Sequence, residues 1–106
     1  MKVIWMPFAQ NEVRKTARYI NKEFGKDSRD QFVNEVRNVS RLLGDNPNLG
    51  KPEPLLSDYE KEYRSYVMNH LNKIIYWIAG NHIEVVDLWD VRRDPTALKD
   101  QMDNSH

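Results

Sequence analysis

The chain has 106 residues and a mass of 12.6 kDa, room for one domain that buries roughly two-thirds of its unfolded surface without metal or disulfide support. Sixteen Lys and Arg balance sixteen Asp and Glu, which argues against a dedicated non-specific nucleic-acid binder. The absence of cysteine removes disulfides, thiolate nucleophiles and Cys-ligated zinc. The charge is unevenly spread: residues 1–50 hold nine basic and six acidic side chains, residues 51–106 seven and ten. The first half therefore offers a basic surface to an acidic partner. Apolar runs such as Val3–Phe8 are far too short to span a bilayer and lack the build of a signal peptide. With a mean hydropathy of −0.79, the expectation is a soluble cytoplasmic protein with no membrane partner.

Val3–Met6 reads as a short strand ended by Pro7, which has no N–H for a ladder. A helix follows, with Val13, Ala17, Ile20 and Phe24 on one face and Arg14, Lys15, Arg18 and Lys22 off it. Gly25 suits its end, and Asp27 or Ser28 can cap a second helix whose apolar stripe is Phe32, Val36, Val39 and Leu43. Gly44–Pro47 stop that helix. Two amphipathic helices joined by two or three residues pack as an antiparallel hairpin.

Residues 44–62, with Pro47, Pro52 and Pro54, read as a long irregular connection pinned by Leu49, Leu55 and Leu56. From Tyr63 the period changes to two. Tyr63–Met68, Lys73–Ala79 and His82–Asp90 are predicted strands, with turns at Asn69–Asn72 and Gly80–Asn81. A tight turn at Gly80–Asn81 pairs Ile78 with Ile83 and Tyr76 with Val85. Ile74, Tyr76, Ile78, Ile83 and Val85 then share one face, and Lys73, Ile75, Trp77, His82 and Glu84 the other. The alternation slips where Val85 and Val86 adjoin, which predicts a β-bulge near Val86 that re-aims Asp87–Asp90. After Pro95 the composition turns polar, so residues 1–95 are expected to form the domain and residues 96–106 a polar tail, frayed from Gln101 to His106.

The order β-α-α-β-β-β makes an α+β domain: an N-terminal strand, an antiparallel helical hairpin and a three-stranded antiparallel meander, with the helices on one face of the sheet. Within that order, Asn46-Pro47-Asn48-Leu49-Gly50-Lys51-Pro52, Tyr63-Arg64-Ser65, Lys73-Ile74-Ile75-Tyr76-Trp77-Ile78 and Val86-Asp87-Leu88-Trp89-Asp90-Val91-Arg92-Arg93-Asp94-Pro95 stand at characteristic spacing. Together, over about residues 2–95, these segments resemble the RelE/ParE superfamily of bacterial toxins from type II toxin–antitoxin pairs, the plasmid-stabilisation type. The resemblance implies a growth-inhibiting toxin neutralised by a cognate antitoxin that wraps the helical hairpin and the sheet. It implies no cofactor or metal, and no sequence-specific DNA binding by this chain. It also leaves two chemistries open, inhibition of DNA gyrase as in ParE-like members and ribosome-dependent mRNA cleavage as in RelE-like members.

Metal-free RNA cleavage needs a base for the ribose 2′-OH, a donor for the leaving oxygen and cations beside the phosphate. The candidates are His82 as base or acid, Tyr66 or Tyr76 as donor, and Arg64, Lys73, Arg92 and Arg93 as cations. Ribonuclease members concentrate Lys and Arg on the open sheet and often place a Tyr or His near the C-terminus. This chain has no Tyr after Tyr76, and Asp87, Asp90 and Asp94 flank Arg92 and Arg93. The reading therefore leans to the ParE-like branch and away from an enzyme, with the ribonuclease and a non-toxic, antitoxin-binding member as alternatives. Arg64, Arg92, Arg93, Arg14 and Arg18 are the expected contacts to antitoxin or target. An Asp87–Asp90 dyad would need the bulge, His70 lacks a second His at ligand spacing, and Trp77 and Trp89 read as packing residues.

Overall fold

The computed structural model describes residues 1–105; His106, placed by the sequence in the polar tail, lies outside the described residues. In chain order the elements are β1 (Lys2–Trp5), α1 (Pro7–Phe24), α2 (Lys26–Asp45), β2 (Lys51–Pro52), a 3-10 turn (Pro54–Leu56), β3 (Arg64–Val67), β4 (Asn72–Ala79), β5 (His82–Asp90) and α3 (Pro95–Ser105). The strands form a single five-stranded sheet in the order β1-β5-β4-β3-β2. The α+β class and the three-stranded meander stand as the sequence predicts. Two pairings extend the meander: β1 lies parallel to β5, and Lys51–Pro52 add a short antiparallel strand to β3.

Pro7 both ends β1 and opens α1, because its missing N–H is one the first helical turn leaves unpaired anyway. The two helices of the hairpin are joined by one residue, Gly25, rather than the expected two or three. Gly25 holds φ at +97°, which an L side chain resists, so a single residue reverses the chain. It also stands at the N-cap of α2, where no side chain caps; the predicted caps Asp27 and Ser28 lie inside the helix.

One face of the sheet packs under the hairpin. Phe32, Val36, Val39 and Leu43 of α2 and Ala9 of α1 bury against Ile74, Tyr76, Ile83, Val85 and Leu88. Val13, Ala17 and Ile20 join this core, but Phe24, expected on the same stripe, is 68% exposed. Gly80–Asn81 forms the β4–β5 turn, with Ile78 opposite Ile83 and Tyr76 opposite Val85. The next pair is Ile75 with Asp87, so Val86 is the extra residue and the predicted bulge sits there.

The opposite face is not bare, as a tail of polar residues would leave it. Residues 95–105 are helical, and Leu98 and Met102, one turn apart, bury against Ile75, Val86 and Trp89, with Leu56 and Tyr63 completing a second core. Helices thus cover both faces, the hairpin on one and α3 on the other. Of the three leucines expected to pin the long connection, Leu56 is buried, while Leu49 and Leu55 are 38% and 37% exposed. Among the described residues no helix is long and apolar enough to cross a membrane.

Candidate functional site

Arg64 is the second residue of the Tyr63–Arg64–Ser65 segment and pairs across the ladder with Tyr76, which directs it to the hairpin side of the sheet. Its guanidinium donates to the Gly50 carbonyl at 2.7 Å and to Glu62 at 3.0 Å. Beside it the Tyr76 hydroxyl donates to the Pro47 carbonyl at 2.7 Å and accepts from the Gly50 amide at 2.8 Å. A Cβ on Gly50 would stand 2.7 Å from the Tyr76 ring and 2.8 Å from the Ser65 carbonyl, so only glycine lets the loop approach this closely. Arg64 and Tyr76 together clamp the loop between α2 and β2. Burial pushes the Tyr76 phenol up, and its proton is already committed to a backbone carbonyl.

His82 opens β5 on the opposite face, paired with Ala79. Its Nε2 sits 3.0 Å from Glu84, which also accepts from Trp77 Nε1 at 3.0 Å. The His82 hydrogen bond, with help from Trp77 and Lys61, holds the Glu84 carboxyl below the usual carboxylate range despite some desolvation. Lys61 lies 4.6 Å above the Trp77 ring. Next along the strands, Lys73 donates to Glu53 at 2.9 Å. Burial raises the Glu53 carboxyl, but hydrogen bonds from Ser65 and Lys73 and the Lys73 charge outweigh that and hold it low.

Arg92 and Arg93 leave the far end of β5. Arg92 makes a two-pronged contact with Asp90 at 3.0 and 2.8 Å, and Asp90 also accepts from the Arg92 amide at 2.9 Å. This pairing lowers the Asp90 carboxyl and raises the Arg92 guanidinium. Arg93 lies 4.5 Å over the Trp89 ring and donates to Gln101 of α3 at 2.8 Å. Both arginines remain largely open to solvent.

The residues that a nuclease would combine are therefore dispersed. β5 from His82 to Asp90 is about 26 Å long at 3.3 Å per residue, so His82 and the arginine pair stand at opposite ends of one strand. Arg64 lies on the other face from His82. No base, donor and cation converge on a phosphate-sized opening among these residues. Asp87 and Asp90 also stay apart, because the bulge at Val86 precedes both and leaves the spacing between them regular. Asp87 turns inward to Gln101 of α3, whereas Asp90 meets Arg92 at the surface. Among the described residues no group of three His, Asp or Glu is placed to hold a metal ion.

Two surface features were not read from the sequence. Between α1 and α2 runs a groove floored by Trp5, Val13, Val33 and Val36 and edged by Arg14 and Arg37. Arg18 stands one turn further along α1, exposed like Arg14. The signal for this groove was the width of the α2 stripe, in which Val33 lies beside Phe32 and Val36. On the other flank of α1 a second opening lies between Tyr19, Ile20 and Phe24 and the end of β5.

The family model of the ParE toxin of type II toxin–antitoxin systems (parDE) matches residues 3–95. No curated protein matches. Among solved structures, the chain is similar to one of the chromosomal ParDE toxin–antitoxin system from P. aeruginosa, with 15% identity, 86% of this chain and 96% of that chain covered, and a TM-score of 0.71. It is similar to the YoeB/ParE toxin from Agrobacterium tumefaciens at 21% identity, with 85% and 98% covered and a TM-score of 0.57. A YoeB dimer from Staphylococcus aureus shares 22% identity over 82% of this chain and 92% of that one, with a TM-score of 0.54. These structural likenesses show the shared fold; the family match, which spans nearly all of the chain before α3, shows more. The chain belongs to the ParE toxin family and is a toxin of the type II toxin–antitoxin class.

Proposed function

We propose that this toxin acts in the cytoplasm by binding DNA gyrase as a protein target, without bond-making chemistry of its own, and is held inactive by a cognate antitoxin. The observation that carries this reading is the dispersal of Arg64, His82 and the Arg92–Arg93 pair over two faces and two ends of the sheet. A cleavage site needs its acid, base and cations within hydrogen-bond reach of one phosphate, and a binding surface does not. The second sheet face supports the same reading. Leu98 and Met102 of α3 occupy the ground over Ile75, Val86 and Trp89 on which an open nuclease face would be built. We read residues 1–95 as the toxin domain and α3 as an extension that seals it.

For the antitoxin, the groove between α1 and α2 supplies what an amphipathic helix needs, an apolar floor of valines and a tryptophan with arginines at the edges. Arg14, Arg18 and Arg37 complement an acidic helix, and the P. aeruginosa relative was solved as a toxin–antitoxin system. Arg64 serves the loop clamp in this reading, and Arg92 and Arg93 are contacts to the target.

Induction of the chain in a bacterial host, with DNA integrity and translation followed separately over the first minutes, tests the proposal. Broken DNA with intact mRNA is the expected result. Cut mRNA with translation arrested first would replace it by the ribonuclease reading. Unimpaired growth would leave a member that only binds its antitoxin.

A further inference from the structure

The C-terminal end of α1 carries two aromatic rings that the fold leaves in water. Tyr19 is 55% and Phe24 68% exposed, and among the described residues no other aromatic side chain is as exposed. The rings meet edge to face at 6.5 Å between centroids. Phe24 continues the same stripe as Val13, Ala17 and Ile20, which pack into the core, yet as the last residue of α1 it stands largely in water. Below the rings an opening of ≈ 320 Å³ is floored by Ile20, Leu71 and Leu88.

Cations rim this opening. Lys15, Arg92 and Arg93 line it. The acids lining it are Glu12, paired with Lys15 at 3.3 Å, and Asp90, paired with Arg92 at 2.8 Å. Exposed Tyr and Arg around an apolar pocket are the residue types that dominate protein–protein contacts. This opening is also separate from the groove between α1 and α2. Glu12, Lys15, Thr16 and Tyr19 face one flank of α1, and Gln10, Val13 and Arg14 the other.

We infer that the Tyr19–Phe24 pocket with its Arg92–Arg93 rim is the toxin's contact surface for its target, and that it takes an acidic protein segment presenting one apolar side chain. The inference rests on the reading of the toxin as a binder of a protein target. The apolar side chain fills the floor of Ile20, Leu71 and Leu88 between the two rings, and a flanking carboxylate meets Arg93, whose hydrogen bond within the fold goes to the neutral Gln101, beside the Arg92–Asp90 pair. Their exposure makes the rings accessible to a large partner.

Phe24→Ser and Arg92→Glu alter exposed side chains, and the second gives up a surface ion pair with Asp90, so both variants are expected to fold, with midpoints of denaturation close to the wild type's. Growth arrest on induction, inhibition of purified gyrase and binding of the purified cognate antitoxin are measured for each. The inference expects at least a tenfold loss of arrest and of gyrase inhibition, with antitoxin affinity unchanged. Variants as toxic as the wild type would overturn it, and so would a parallel loss of antitoxin binding, which would assign the pocket to the antitoxin. If the wild type arrests growth but leaves gyrase untouched, the choice of gyrase fails while the variants' effect on growth still decides the surface. A wild type that arrests nothing has no target to contact, and the inference falls with it.

Discussion

Replacing Asp87 with Asn isolates the one carboxylate that, among the described residues, the fold places fully out of water. Its Oδ2 accepts from Gln101 of α3, and its Oδ1 has no partner. Burial, with the nearby Glu12 charge adding to it, pushes the carboxyl from its ordinary 3.8 to about 6, and the Gln101 hydrogen bond and Arg93 only partly oppose this. A carboxyl raised on folding holds a proton that the unfolded chain has already released. Its contribution to stability is therefore fully present below pH ~4 and lost as the pH rises through ~6. At about 1.4 kcal/mol per decade, the whole difference amounts to about 3 kcal/mol, of which about 1.4 kcal/mol falls between pH 5 and 7.5. Asn keeps an acceptor for Gln101 but puts an unpaired amide where Oδ1 stood, so its absolute stability is a poor gauge. The slope is the useful quantity. Urea denaturation of wild type and Asp87→Asn at pH 5, 6 and 7.5 should show the wild type losing about 1.4 kcal/mol relative to the variant across that range. Parallel curves for the two proteins would refute the argument, as would a wild type that gains on the variant with rising pH.

Four further substitutions probe the clamp and the two cores. Tyr76→Phe removes the hydroxyl that bridges Pro47 and Gly50 and strands a buried amide, which should cost about 1–3 kcal/mol in chemical denaturation; no change would mean the loop holds without it. Arg64→Ala should cost about 1.5–3 kcal/mol through its bond to the Gly50 carbonyl, and any fall in toxicity should track the fall in folded protein. If toxicity vanishes while stability is intact, Arg64 touches the target instead. Leu98→Ala empties a fully buried site under α3 and should cost about 2–5 kcal/mol, with a similar cost for Ile74→Ala beneath the hairpin. An unaffected midpoint for Leu98→Ala would mean that α3 does not seal the second face.

The meander was legible because its signals are local. Alternation marks β3, β4 and β5, Gly80–Asn81 sets the register, and two adjacent valines expose the bulge at Val86. The α2 stripe was equally plain, since all four of its expected residues are buried. The β1–β5 pairing was not legible, because a parallel partner some eighty positions away leaves no turn between the strands to read. A signal for α3 did exist. Asp94 caps the first turn by accepting from the Thr96 amide, Pro95 opens the helix, and Leu98 and Met102 stand at helical spacing. The polar residues between them masked that stripe. Phe24 misled for a different reason: periodicity gives a face but not how far along that face the packing extends. At the site, the charged candidates are named by the sequence, but only the topology sets Arg64 and His82 on opposite faces and His82 and Arg92 at opposite ends.

The central claim is that this toxin disables a protein target by binding. Its most direct test is purified toxin added to purified gyrase, ATP and plasmid DNA, beside a parallel reaction with translating ribosomes and mRNA. The account predicts dose-dependent loss of supercoiling or trapped DNA breaks in the first reaction, reversed by the antitoxin, and intact mRNA in the second. Cleaved mRNA with normal supercoiling would contradict it.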